Sequence, residues 1–192
     1  MQRVSTHLLK LLLVLAMTFG LSSCDVIEHA HQSQPAKVVA RAVDSKQLQC
    51  LAENIYYEAG KESTEGKAAV ARVVMNRVHH GFASTPCKVI YQTTAVKKTN
   101  EDDESFFVKM CQFSWVCEGK GNPNKRDPRY QSSLLVAYNV LAYDAYKEVL
   151  PKSALFFHNT SVKPNWPHNV IKQIGNHIFY SKTHKQHKKK YK

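Results

Sequence analysis

One glutamate stands where a helical pattern ends, within the part of this chain that is richest in candidate chemistry. Residues 51–78 read LAENIYYEAGKESTEGKAAVARVVMNRV, and Glu58 lies just before Gly60. A carboxyl that stays protonated near neutral pH can act as a general acid toward a poor leaving oxygen. The C-terminal end of a helix disfavours an anion and so favours that protonated form. Glu58 is therefore the candidate catalytic acid.

Two helices are predicted on either side of this glutamate. The first spans residues 45–59, because apolar residues recur at helical spacing and Gly60 is a suitable C-terminal stop. The second begins at residue 63 or 64 and ends at Gly81. Its apolar residues fall on nearly every side, which predicts a central, buried helix. We assign cap and surface roles to its polar residues Asn76 and Arg77.

The rest of the chain predicts an α+β protein that is mainly α, with a small β element. A third helix is predicted over residues 129–150, with Leu135 and Tyr138 among its inward-facing side chains. We expect a charged surface loop over residues 93–110, then an ordered loop or short hairpin in the aromatic segment from Cys111. Two short strands are predicted later in the chain, over residues 154–158 and 177–180, with a turn-rich segment between them.

The N-terminus has the features of a bacterial lipoprotein signal. Basic residues precede an apolar run over residues 11–21, which is short for a membrane span but fits a signal-peptide core. The run ends in Leu21-Ser22-Ser23-Cys24, which resembles a lipobox with Cys24 as the lipidated residue. An ordinary cleaved signal is the alternative. The predicted organisation is a signal peptide (1–23), a tether (24–44), a catalytic domain (45–180) and a basic, disordered tail (181–192). We therefore expect a membrane-anchored lipoprotein of the cell envelope that faces the periplasm or the exterior.

Four further cysteines are expected to form disulfides, because an exported chain meets an oxidising compartment. They are Cys50, Cys87, Cys111 and Cys117. Three connectivities are possible, and the sequence does not choose among them. Cys111 and Cys117 are close enough for a short loop, in which case Cys50 and Cys87 would join two helical segments. No CxxC pair or HExxH motif is present, so neither a metal site nor a cofactor is expected.

The positive charge of the chain lies mostly at its ends. The net charge is +12, but residues 1–23 and 181–192 supply two and six of the basic residues and no acid. The tail has only Tyr191 as an aromatic, which disfavours a nucleic-acid partner. It is either a solvated segment or one attracted to an anionic envelope surface. We expect a monomer.

Several blocks of the sequence together resemble one protein family. They are residues 51–78 quoted above, PCKVIYQ (86–92), CQFSW (111–115), ALFFHN (154–159), VKPNW (162–166) and IGNHIFY (174–180). In this order they resemble the bacterial cell wall hydrolase family typified by the spore-cortex-lytic enzymes. The family commonly has Ala-Arg-Gly-Glu after its glutamate, whereas this chain has Ala59-Gly60-Lys61-Glu62. That exchange leaves the bend geometry and any sugar contact of the basic side chain open.

The resemblance implies a lysozyme-like single domain that acts on peptidoglycan. Glu58 matches the glutamate of the family. It would protonate the glycosidic oxygen between N-acetylmuramic acid and N-acetylglucosamine, then accept the proton of the muramic 6-hydroxyl, as a lytic transglycosylase does. Hydrolysis by a muramidase is the alternative, with Glu62 as the candidate second carboxylate. An amidase or peptidase is disfavoured, and a non-catalytic peptidoglycan-binding lipoprotein is the other alternative.

Six further residues are candidates for substrate binding. Polar side chains of the CQFSW block could bind acetamido groups, and tryptophans could stack on sugar faces, although buried packing is the commoner use of tryptophan. An asparagine after the first short strand and a histidine that opens the second could line a cleft, or simply support the fold. These candidates are Gln112, Ser114, Trp115, Asn159, Trp166 and His177.

Overall fold

The computed structural model of the chain describes residues 39–120 and 122–183. The predicted signal peptide, Cys24, the tether as far as residue 38 and the tail from residue 184 lie outside these residues. No helix within the described ranges is both long enough and apolar enough to cross a membrane.

Three long helices form the framework of the domain. They are α1 (Ser45–Ala59), α2 (Thr64–His79) and α5 (Pro128–Tyr143), and the short helices α3 (Pro86–Ile90) and α4 (Ser114–Cys117) lie between the last two in sequence. Each long helix begins at a residue whose side chain accepts a hydrogen bond from a first-turn N–H: Asp44, Ser63 and Asp127. The two helices predicted around Glu58 are thus confirmed.

Helix α2 lies at the centre of the domain, as its apolar surface predicts. One set of its residues, including Ala68 and Val74, packs in the core with α1 and α5. Another set, Ala69 and Val73, packs in a second core with Phe179 and other residues of the C-terminal part. The helix therefore carries apolar residues on opposite sides because each side contacts a different layer.

Two small antiparallel sheets complete the domain. Strands β1 (Thr93–Thr99) and β2 (Ser105–Cys111) pair as a hairpin, so the loop predicted over residues 93–110 is wrong except at its charged tip. Strands β3 (Phe156–Asn159), β4 (Asn169–Ile174) and β5 (His177–Ser181) form a sheet with β5 in the middle. Strands β3 and β5 were predicted, and β4 was not. Helices with two small sheets confirm the mainly α, α+β class.

Helix α5 is shorter than the sequence predicts. It ends at Tyr143 because Asp144 adopts a left-handed conformation (φ 51°), where the carboxylate pairs with the buried Arg72 at 2.7 Å. The prediction that Leu135 and Tyr138 face inward is also wrong, since Leu135 is 61% exposed and Tyr138 is exposed as well. The segment between CQF and Glu118 forms α4, a helical turn, and not the loop or hairpin expected there.

The four cysteines of the domain form two disulfides. Cys50 of α1 bonds to Cys87 of α3, and Cys111 at the end of β2 bonds to Cys117 of α4. This is the one of the three connectivities that contains the short loop. The second disulfide brackets the segment that carries Gln112 and Ser114.

We expect the two disulfides to differ in their effect on stability. Loop-closure entropy predicts that replacing both Cys50 and Cys87 by Ala, which opens a separation of 37 residues, lowers the free energy of unfolding by about 4 kcal/mol. Replacing both Cys111 and Cys117 by Ala, across 6 residues, should cost about 2 kcal/mol. Urea denaturation monitored by circular dichroism would measure both. Equal losses would contradict the entropic account.

Candidate active site

Glu58 lies where two cavities meet at the C-terminal end of α1. The first lobe of this cleft, about 440 Å³, extends over the α1–α2 connection to Lys120 and Arg129. The second lobe, about 540 Å³, extends past Arg77 and the CQFSW segment to Trp166. The two lobes share three lining residues: Glu58, Asn159 and His177. A chain-like ligand that occupies both lobes would therefore cross Glu58.

The surroundings of Glu58 favour the protonated form of its carboxyl group. Burial raises its pKa from 4.5 to about 7, while the cations of Lys120 and Arg77 oppose that rise and Glu118 adds to it. Among the described residues no hydrogen bond or ion pair holds the carboxyl. Desolvation is thus the main cause of the raised pKa. A group that titrates near pH 7 can both donate and accept a proton.

Arg77 belongs to the site, although cap and surface roles were predicted for it. It is 4% exposed, and its Nε donates a hydrogen bond to the carbonyl of Leu155 at 2.8 Å. Its guanidinium lies 5.1 Å from the centre of the Phe113 ring, and the residue lines the second lobe with Glu58. The predicted surface role is wrong. A charged residue on a helix predicted to be buried was the available sign.

Glu62 lies in the first lobe with Glu58 but is held by another part of the chain. Its Oε1 accepts a hydrogen bond from Asn176 Nδ2 at 3.0 Å, and its Oε2 lies 3.4 Å from the backbone nitrogen of Asn176. Asn176 belongs to the turn between β4 and β5. The position of Asn176 in the cleft was not predicted, although Asn176 belongs to the IGNHIFY block.

Five of the six predicted binding residues lie in the cleft. Gln112, Ser114 and Trp166 line the second lobe, and Asn159 and His177 line both lobes. Trp166 is 40% exposed, so part of its side chain is accessible to a ligand. His177 is buried, and this burial lowers its pKa while the charge of Glu62 opposes the change. A neutral imidazole near pH 7 follows, with Nδ1 unpaired among the described residues.

Trp115 is the predicted binding residue that the structure does not place in the cleft. It is 5% exposed, its ring stacks on Tyr57 at 4.7 Å between centroids, and its Nε1 donates to Asn54 Oδ1 at 3.0 Å. No ring face remains for a sugar. The prediction that Trp115 stacks directly on a sugar is therefore corrected. Trp115 instead packs against the last turns of α1, through Tyr57 and Asn54.

The exchanged Gly-Lys pair after Glu58 fits the bend between α1 and α2. A Cβ at Gly60 would overlap the carbonyl oxygen of Tyr56, so only glycine fits there without a shift of the backbone. The side chain of Lys61 is exposed and reaches the first lobe. Within the described ranges no group of three or more metal-ligating side chains is arranged to hold a metal ion.

We expect Glu58 to make the stability of the domain depend on pH. Between pH 4.5 and about 7 the folded state retains a proton that the unfolded state has lost, so stability falls as pH rises through this window. The full difference corresponds to about 3 kcal/mol. Glu58→Gln removes the titration, so its stability relative to wild type should increase by that order between pH 4 and pH 8. Urea denaturation at both pH values measures this. Glu65→Gln, which removes an exposed carboxylate outside the cleft, is the control, and an equal change in both variants would contradict the assignment.

One comparison with known proteins, the match to a family model, agrees with the predicted family. The family model described as Cell Wall Hydrolase matches residues 61–180, a range that begins just after Glu58. A comparison with functionally curated proteins gives no significant match. Among solved structures, the chain is similar to the catalytic domain of the Bacillus cereus SleB protein, with 23% identity and a TM-score of 0.48 over 77% of this chain and 98% of that one. Because the family model matches more than half of its length, the chain belongs to the cell wall hydrolase family.

Proposed function

We propose that this protein cleaves the glycan strands of peptidoglycan between N-acetylmuramic acid and N-acetylglucosamine, as a lytic transglycosylase with Glu58 as acid and then base. Family membership supports peptidoglycan cleavage in general. The observation that carries the finer proposal is the carboxyl of Glu58, with a pKa of about 7, at the point where the two lobes meet.

The reaction needs only one carboxyl group that changes its role. Protonated Glu58 gives its proton to the glycosidic oxygen, the bond from that oxygen to the muramic anomeric carbon breaks, and the glucosamine unit leaves with a 4-hydroxyl. The Glu58 carboxylate then takes the proton of the muramic 6-hydroxyl as that oxygen bonds to the anomeric carbon. The product has a 1,6-anhydro end, and Glu58 is again protonated. A pKa near 7 suits both transfers.

The residues around Glu58 support this sequence of steps. Once Glu58 has lost its proton, the cations of Arg77 and Lys120 favour the resulting carboxylate. In the second lobe, Gln112 and Ser114 offer polar groups for acetamido substituents, and the exposed ring of Trp166 offers a face for a sugar. A strand bound across the lobes would present its interior bond to Glu58.

The contacts of Glu62 favour the single-carboxylate route over hydrolysis. An inverting hydrolase needs a second carboxylate that activates water, and a retaining one needs a carboxylate nucleophile. Both oxygens of Glu62 lie within hydrogen-bonding distance of Asn176. We keep hydrolysis by a muramidase as the alternative, because Glu62 lies in the same lobe as Glu58.

Location at the cell envelope follows from the family, and the mode of attachment is part of the proposal. The apolar run over residues 11–21 and the lipobox-like Leu21–Cys24 support an acylated Cys24 as the membrane anchor. Residues 25–44 would then act as the tether between the membrane and the catalytic domain.

We expect Glu58→Gln to abolish cleavage of purified peptidoglycan, with a loss of at least 10³-fold, because the amide of Gln cannot act as a general acid. Wild type and variant would be incubated with sacculi and the soluble muropeptides identified by mass spectrometry. Anhydro-muropeptides, one water lighter than hydrolysis products, are expected from wild type alone. Glu65→Gln is the matched control and should retain activity.

Other products would change the assignment in defined ways. Hydrated reducing ends would contradict the transglycosylase and identify a muramidase. If no soluble products form with either protein while both disulfides are intact, the protein is a peptidoglycan-binding lipoprotein, and Glu58→Gln should then leave its affinity for sacculi unchanged.

We also expect the rate to depend on the protonation of Glu58. Because the first step needs the acid form, kcat/KM should fall about tenfold per pH unit above about pH 7. Initial rates of muropeptide release between pH 5 and pH 9 would test this. A rate that stays constant to pH 9 would show that the proton comes from another group.

A further inference from the structure

We propose that Glu62 is a positioning residue, which holds the β4–β5 turn so that Asn176 and His177 line the cleft, and not a second catalytic carboxylate. This inference rests on the proposed function, since it assigns a role within the same site. It concerns contacts that join the start of α2 to the C-terminal sheet.

The carboxylate of Glu62 binds both polar groups of Asn176 that face it. Oε1 accepts from the side-chain amide at 3.0 Å, and Oε2 accepts from the backbone N–H at 3.4 Å. These two groups lie 114 residues further along the chain. A hydrogen bond to a charged acceptor contributes more than a neutral one. Glu62 therefore acts as a cross-link between the α1–α2 connection and the turn.

Two glycines make room for this carboxylate. A Cβ at Gly175 would overlap Oε2 of Glu62, and a Cβ at Gly66 would lie 2.7 Å from the Cβ of Glu62. Gly175 also has a positive φ of 54°, which glycine adopts most easily. The backbone of Glu62 is held separately, because Nζ of the buried Lys67 donates to its carbonyl at 2.6 Å. Side chain and backbone are thus both fixed.

The turn held by Glu62 connects directly to the residues that both lobes share. Asn176 precedes His177, and His177 pairs with Asn159 in the β3–β5 register. The carbonyl of Asn176 also accepts a hydrogen bond from Thr160 N at 2.8 Å. A shift of the turn would therefore move His177 and Asn159 together, on the side of the cleft that faces Glu58. Displacements of about 1 Å at such a site can lower the rate about 10²-fold.

A double-mutant cycle separates positioning from direct catalysis. Glu62→Ala and Asn176→Ala should each lower kcat/KM for sacculi by about 10- to 100-fold. If Glu62 acts through Asn176, the double variant should be no slower than the slower single variant, and the product should remain anhydro. Losses that multiply, or full activity in Glu62→Ala, would overturn the proposal.

The conservative variant gives a second discrimination. Glu62→Gln keeps an amide oxygen that can accept a hydrogen bond from Asn176 Nδ2. Its kcat/KM should therefore be at least tenfold higher than that of Glu62→Ala. A second catalytic carboxylate would be lost equally in both variants, and equal losses would therefore contradict the positioning role.

A pair of glycine substitutions tests the same contact from the other side. Gly175→Ala and Gly81→Ala both place an alanine at positive φ, but a Cβ at Gly81 has nothing within 4 Å. Both variants should share the cost of backbone strain, and only Gly175→Ala should also disturb the contact with Glu62 and lose activity. Similar activities in the two variants would count against the contact between Glu62 and the turn.

One readout does not require any cleavage of peptidoglycan. In the full-length protein, the amide proton of Asn176 should exchange with solvent at least tenfold faster in Glu62→Ala than in wild type, measured by NMR. Glu65→Ala is the control and should leave this exchange unchanged. Unchanged exchange in Glu62→Ala would overturn the proposal even if wild type is an active transglycosylase. Faster exchange would support the contact between Glu62 and the β4–β5 turn even if the protein did not catalyse the proposed reaction.

Discussion

Partial exclusion of water from one carboxyl group is the constraint on which the rest of this structure depends. Glu58 can bind a proton near neutral pH only because burial disfavours its ionised form. The end of α1, the central helix α2 and the β3–β5 sheet each contribute residues around it. Glu58 stays buried only while these three elements hold their positions around it.

The surroundings of Glu58 balance two opposed effects. Desolvation favours the acid, whereas Arg77 and Lys120 favour the carboxylate. Arg77 is itself buried, and this lowers its pKa to about 10, although Glu58 opposes the change. A cation and an acid that both lack full hydration are costly for the folded state, and such sites commonly exchange stability for function. The apolar packing of α2 on both of its sides, together with two disulfides, offsets that cost.

The sequence predicted the parts of the site that depend on local pattern. Periodicity and caps are local properties, so α1, α2 and the position of Glu58 at a helix end could be derived from the residues alone. Trp115 could not be placed, because an aromatic ring stacks on a sugar or packs in a core according to what the rest of the chain brings to it. The same holds for Arg77, whose partners Leu155 and Phe113 come from distant segments. The hairpin of β1 and β2 was missed because its strands expose most of their residues and so lack alternating burial.

The disulfide between Cys111 and Cys117 makes one wall of the cleft depend on the redox conditions under which the chain folds. It closes the short segment that brings Gln112 and Ser114 to the second lobe. Disulfides form and persist in oxidising compartments, so the covalent closure of this segment depends on where the chain folds. In a reducing compartment the thiols of Cys111 and Cys117 would remain unbonded, and the wall of the cleft that carries Gln112 and Ser114 would lack its covalent link.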